Sequence, residues 1–202
     1  MKTFFFIFFL INNIIQDAII IDQDTQVKIV YSIEYQKTPI KYKMLKKMMP
    51  KETISYCSNI GHRSEINIDV SLMGKRMQSE AVTIENYNNS TKSIKLVAFM
   101  NDSIIQNEFR KLPYNSNGSE IVLGKEKKNI LGYDCVYFVN ENDSTRTEGY
   151  LYPQIRGPNE YKPYGLPLET TMTSKANKMI VTTKAQDIVF EPIDKKLFFL
   201  VE

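Results

Sequence analysis

Over residues 26–36 apolar and polar side chains alternate. Val27, Ile29, Tyr31, Ile33 and Tyr35 fall on one face, and Lys28, Ser32, Glu34 and Gln36 on the other. A period of two marks a half-buried antiparallel strand. The clearest such stretch is 65–72, where Ile66, Ile68, Val70 and Leu72 alternate with Glu65, Asn67, Asp69 and Ser71. Residues 53–57 also read as a strand, and Asn59, Gly61 and His62 between the two are turn residues. The runs 81–87 and 93–100, joined by Asn88, Asn89 and Ser90, predict a hairpin.

Two stretches change period. After Pro39, the residues Ile40, Met44 and Met48 recur every four positions among Lys41, Lys43, Lys46 and Lys47, which predicts a short amphipathic helix ended by Pro50. Ser103 with Gln106 three residues later matches a capping box, and Ile105, Phe109 and Leu112 would share one helical face before Pro113. A second short helix is expected there. A polar loop follows at 114–120, and strand resumes at 121–123. Cys135, Tyr137 and Val139 alternate with Val136 and Phe138, so this strand is apolar on both faces and is expected mid-sheet. Residues 141–144 turn the chain into a strand at 145–152. Pro153, Pro158, Pro163 and Pro167 then punctuate a tract that suits neither helix nor regular strand. Strands return at 168–173 and 179–189. Many strands with two short helices predict a mainly β (α+β) fold built on a meandering antiparallel sheet, not on parallel βαβ units.

Composition bounds the function. The 26 basic and 23 acidic residues leave a formal charge of +3, spread along the chain. A nucleic-acid partner calls for a concentrated basic footprint, so none is expected. With 43% hydrophobic residues, 202 residues can fold as one domain, set at 25–202, without a metal. At the N-terminus Lys2 precedes an unbroken apolar run, 4–11. The run is too short to cross a bilayer as a helix but fits a signal peptide, set at 1–20, so the protein is expected to be exported to the periplasm, cell envelope or exterior; an uncleaved anchor or a buried N-terminal strand is the alternative. Gln16, two positions before Ala18, makes a poor cleavage site. Cys57 and Cys135 are the only cysteines. In an oxidising compartment they could form one bridge, and as separate buried thiols they would act as small hydrophobes; both readings stand.

Candidate chemistry is sparse. His62 is the only histidine, so a Ser-His-Asp or Cys-His site would have to use it, and its predicted turn reads as solvent-exposed. No phosphate loop, nucleophile elbow, HExxH or zinc spacing occurs. The expectation is a non-enzymatic protein without cofactor or metal. A hydrolase built on scattered carboxylates is the remaining catalytic alternative, because such acids leave no local motif. The better site candidates are Tyr150, Tyr152, Tyr161 and Tyr164, set among prolines that fix the backbone. They suit an apolar surface with hydroxyls at its rim, or else lids over the end of the sheet. Met44 and Met48 could cover a ligand cavity or touch a membrane surface; otherwise they are core methionines beneath a solvated lysine face.

Lys128, Ile130, Gly132, Tyr133 and Cys135 form a K-x-I-x-G-Y-x-C element. Tyr152, Pro153 and Ile155 follow, then Gly157 with Pro158, and Gly165, Leu166 and Pro167. In order and spacing this stretch resembles the hallmark region of the GLPGLI family and related uncharacterised proteins exported by Bacteroidota. It departs at Leu168, where that pattern has a second glycine. The resemblance implies a signal peptide and an antiparallel sheet curled into a half-open barrel similar to that of lipoprotein carriers, with the short helices as a lid. It implies no catalytic residues. It also favours chance over glycosylation for the N-x-S/T triplets at Asn88, Asn89, Asn101, Asn117 and Asn142. A curved sheet with an apolar concave face and a helix across it can enclose an acyl chain. The expected function is therefore to bind a hydrophobic ligand, such as a lipid, or a lipidated envelope partner. The alternative is an interaction module whose barrel is filled by its own side chains and whose Tyr/Pro tract binds protein.

Overall fold

The computed structural model describes residues 24–37, 39, 49–72, 75–86, 91–100, 103–113, 121–155, 165–176 and 178–199. Its strands are Thr25–Lys37 (β1), Glu52–Cys57 (β2), Gly61–Leu72 (β3), Lys75–Asn86 (β4), Thr91–Met100 (β5), Ser103–Pro113 (β6), Ile121–Ile130 (β7), Tyr133–Glu141 (β8), Thr145–Tyr152 (β9), Leu166–Ser174 (β10) and Ile180–Pro192 (β11). All belong to one antiparallel sheet in the order β6-β5-β4-β3-β2-β1-β11-β10-β9-β8-β7, which does not close on itself. The sheet is two meanders that meet at β1: β2 to β6 run outward on one side, and β11 back to β7 on the other.

The alternation that predicts β1 is what holds it at the centre. Val27 and Ile29 are fully buried, and the strand pairs along its length with β11 and over six residues with β2. The ladder bulges between Val30 and Tyr31. Among the described residues the buried core cluster is Val27, Ile29, Cys57, Ile130, Cys135, Tyr152, Ile155, Leu166, Leu168 and Ala185. These come from both arms. A short 3-10 helix, Lys195–Phe198, buries Phe198 beside Gly61. Its start is capped by Asp194, whose Oδ1 accepts from the Lys196 amide at 3.0 Å, and Arg63 Nη1 donates to the Leu197 carbonyl at 3.0 Å.

The β7–β8 hairpin explains part of the K-x-I-x-G-Y-x-C element. Leu131 (φ 52°) and Gly132 (φ 87°) are the two central residues of its turn, and positive φ at both positions is the geometry that matches strand twist in a two-residue hairpin. Ile130 then pairs with Tyr133, and Lys128 with Cys135. Gly165 is fixed in the same way: its φ is 117°, and an added Cβ would run into the backbone of Tyr152 and Pro153.

Three expectations are corrected. Residues 103–112 are not a helix but β6, paired with β5 from end to end apart from one register shift. The Ser103 capping pattern yields to the long ladder with β5, which pairs the inward-facing backbone groups along the segment, β6 being an edge strand. The strand carrying Cys135 is not mid-sheet but next to the edge strand β7, and β1 holds the centre. His62 is not in a turn: the chain reverses at Ser58–Ile60, where Ser58 Oγ accepts from the amides of Ile60 and Gly61 at 3.3 Å, and His62 already lies in β3. The 3-10 turn is the only helix among the described residues. The expected signal peptide (1–20), the expected helix with Met44 and Met48, and Tyr161 and Tyr164 lie outside the described residues.

Candidate functional site

A cavity of about 200 Å³ is lined by Tyr31, Thr53, Ser55, His62, Ser64, Leu166, Pro167, Thr170 and Thr183. Register accounts for the grouping. Tyr31 faces Thr53, Ser55 faces Ser64, and Cys57 faces His62, so all point from the same side of β1, β2 and β3. From the other arm, Thr170 and Thr183 pair across β10 and β11. In a flat sheet β3 and β10, four strand spacings apart, would be separated by about 19 Å. Since both line one small cavity, the sheet is strongly curved and this face is concave.

The walls combine apolar carbon with hydrogen-bonding groups. Tyr31 donates its hydroxyl to the Pro167 carbonyl at 2.8 Å, tying β1 to the bulge in β10. Burial, and secondarily the neighbouring Cys57, push the Tyr31 phenol well above its ordinary value, so it stays a neutral donor. Thr53 Oγ1 donates to the Glu65 carbonyl at 2.9 Å and lies 3.3 Å from Ser64 Oγ. The hydroxyls of Thr170 and Thr183 are 2.6 Å apart. Ser55 Oγ lies 2.6 Å from His62 Nε2, and His62 Nδ1 is 3.7 Å from Glu85 Oε2. Glu85 sits directly opposite His62 in the β3–β4 ladder and accepts at Oε1 from Lys92 Nζ at 3.2 Å. Sequence reading missed this grouping because it placed His62 in the turn.

The tyrosines expected at the site are separated. Tyr152 belongs to the buried core, edge-on to Tyr133 at 4.9 Å. Tyr150 packs against that core, with Lys128 Nζ 5.1 Å above its ring and Tyr137 edge-on at 5.6 Å. Lys128 Nζ also donates to both Glu169 oxygens, at 2.7 and 2.8 Å. Neither tyrosine lines the cavity. Cys57 and Cys135 are buried and unbridged in this structure and share the core cluster. The Cys135 thiol is pushed up to about 11, chiefly by burial and then by Asp134 and Glu169, with Lys128 acting in the opposite direction. Among the described residues no group of three His, Cys, Asp or Glu side chains could hold a metal.

The fold defines a class, the open and strongly curved single-sheet β protein. No protein-family model matches the chain, and no curated protein matches it. Among solved structures, PNGF-II in its P21 crystal form matches with a TM-score of 0.50 at 15% identity, over 87% of this chain and 30% of that one. This chain therefore spans less than a third of the PNGF-II chain, and the likeness is one of fold. The β-barrel-like protein of domain of unknown function DUF1849 from Brucella abortus matches with a TM-score of 0.45 at 8% identity, over 84% of this chain and 98% of that one. A putative outer membrane lipoprotein-sorting protein domain from Vibrio parahaemolyticus gives 0.25 at 8% identity, over 86% and 88%. At such scores the last two likenesses carry no weight for function.

Proposed function

We propose that this chain is an exported envelope protein that binds a small hydrophobic group, from a lipid or a lipidated partner, inside a half-open barrel. The observation that carries this reading is the open cavity on the concave face, where Tyr31, Leu166 and Pro167 adjoin hydroxyls at Thr53, Ser64, Thr170 and Thr183. Ligand sites combine an apolar wall with a few polar groups that fix orientation. At about 200 Å³ the space falls below the roughly 300–1,000 Å³ of a drug-sized site. It suits a short acyl chain or the end of a longer one. Export is supported by the apolar run at 4–11 behind Lys2. The reading requires no chemistry on the ligand.

Native mass spectrometry of protein purified without detergent tests it, together with titration of a fluorescent fatty acid. Either a retained lipid mass or saturable uptake is expected, with uptake weakened by Thr183→Leu, which fills the cavity. A bare polypeptide mass with no uptake overturns it. A second reading, an interaction module with a filled barrel, is favoured by the core cluster, in which residues of both arms already bury one another. It predicts no lipid and no uptake.

A further inference from the structure

We propose that Ser55, His62 and Glu85 form a nucleophilic serine site that accepts the acyl group of a small ester. This goes beyond ligand binding, which needs no bond to form or break. The three residues lie on successive strands, β2, β3 and β4. Glu85 is the direct ladder partner of His62, and Ser55 is diagonal to His62 on the same face, because Ser55 pairs with Ser64 and His62 with Cys57. Ser55 Oγ is within hydrogen-bond reach of Nε2 at 2.6 Å, while the Glu85 carboxylate lies on the Nδ1 side at 3.7 Å.

A carboxylate on that side favours the tautomer with its proton on Nδ1, which leaves the Nε2 lone pair to take the serine proton. Glu85 is itself held by Lys92 and is largely buried, so it stands as a fixed negative charge on that side of the ring, 3.7 Å from Nδ1. Ser55 and His62 both line the cavity, with Leu166, Pro167 and the Tyr31 ring forming an apolar wall for the acyl group.

In the step proposed, Ser55 Oγ bonds to the ester carbonyl carbon and its proton passes to His62 Nε2. The carbon–oxygen bond of the ester then breaks, and the alcohol leaves with that proton. Water, deprotonated by the same imidazole, attacks the acyl-serine, releasing the acid and restoring Ser55. Strand β2 itself offers no backbone oxyanion hole, because its residues 54–57 are paired on both sides. The cavity supplies side-chain hydroxyls as donors. The Thr170–Thr183 pair has two protons for its one mutual bond, whereas the Ser64 proton is directed to Thr53 Oγ1, which gives its own to the Glu65 carbonyl. Losing one oxyanion donor typically costs about 10²–10³ in rate. The site is therefore matched to activated esters with short acyl chains and to slow turnover.

The test is a fluorophosphonate probe on the whole folded chain, read by intact mass. Ser55 Oγ would bond to phosphorus as fluoride leaves. A single adduct is expected in the tryptic peptide 52–63, and fragmentation must place it on Ser55 and not on Ser58. His62→Gln is expected to slow labelling by at least about 100-fold, the usual contribution of a general base. The same variant keeps its fold by circular dichroism. No adduct on the wild-type protein, an adduct at another residue, or equal labelling of Ser55→Ala overturns the proposal. Uptake of fatty acid without an adduct removes the nucleophile and keeps the binding reading, and an adduct without uptake does the reverse.

Discussion

Cys135 offers a measurement whose size follows from its surroundings. Its thiol is fully buried and is pushed from an ordinary 9.0 up to about 11. Only the thiolate reacts with iodoacetamide, so at pH 8 the reactive fraction falls from roughly one-tenth to roughly one-thousandth, about 100-fold. Exclusion from solvent slows the reaction further. In the variant Cys57→Ala, where Cys135 is the only thiol, alkylation followed by intact mass should be at least about 100-fold slower in the native protein than in urea. A native rate within tenfold of the unfolded one would refute the buried placement. In the wild-type chain the same experiment separates two states of the pair: a Cys57–Cys135 bridge blocks alkylation in urea until reductant is added, whereas free thiols react at once. The pH dependence has a fixed sign. A thiol whose folded value is raised holds its proton more tightly in the native state, so its contribution is complete below about 9 and is lost as pH rises toward about 11. Urea midpoints should fall across that window, and Cys135→Ala should flatten the fall.

Two further changes probe the curvature of the sheet. Tyr31→Phe removes the hydroxyl that donates to the part-buried Pro167 carbonyl and should cost about 0.5–1.5 kcal/mol, the usual net contribution of an intramolecular hydrogen bond; an unchanged urea midpoint would mean that this carbonyl has another donor. Gly149→Ala would drive a Cβ into the Glu169 carbonyl and to 2.8 Å from the Thr170 Cα. Both are backbone, so relief requires β9 and β10 to separate, and a loss of at least about 2 kcal/mol is expected in a thermal scan. A melting temperature that does not move would contradict the close approach of these strands.

How far each element was legible depended on whether its pattern had one explanation. In β1 the alternation was long, its apolar face was filled at every position, and the strand is where it was expected. Residues 103–112 were ambiguous in a way that spacing cannot resolve: Ile105 and Phe109 are four apart, and two residues four apart share a face in a strand as well as in a helix. Only Leu112 and the capping pattern favoured the helix, and pairing with β5 outweighed both. The Cys135 strand was apolar on both faces, a pattern that marks burial but does not say whether a strand is central or one place from an edge.

The candidate site failed to show for a different reason. Ser55 and His62 meet diagonally across a ladder, so their contact depends on the register of the β2–β3 hairpin. That register is fixed by where Ser58 closes the turn. Displacing the turn by two residues, as Asn59, Gly61 and His62 suggested, takes His62 off the strand and dissolves the constellation. The motif stretch at 128–167, by contrast, is rich in positions that backbone geometry demands: Gly132 and Gly165 at positive φ, Ile130 and Cys135 in the core, Lys128 paired to Glu169. All of these lie in the arm from β7 to β10, whereas Ser55, His62 and Glu85 lie in the other. The backbone demands of 128–167 therefore bear on how one arm curls, and they leave the chemistry at Ser55 to be decided by reaction at that serine.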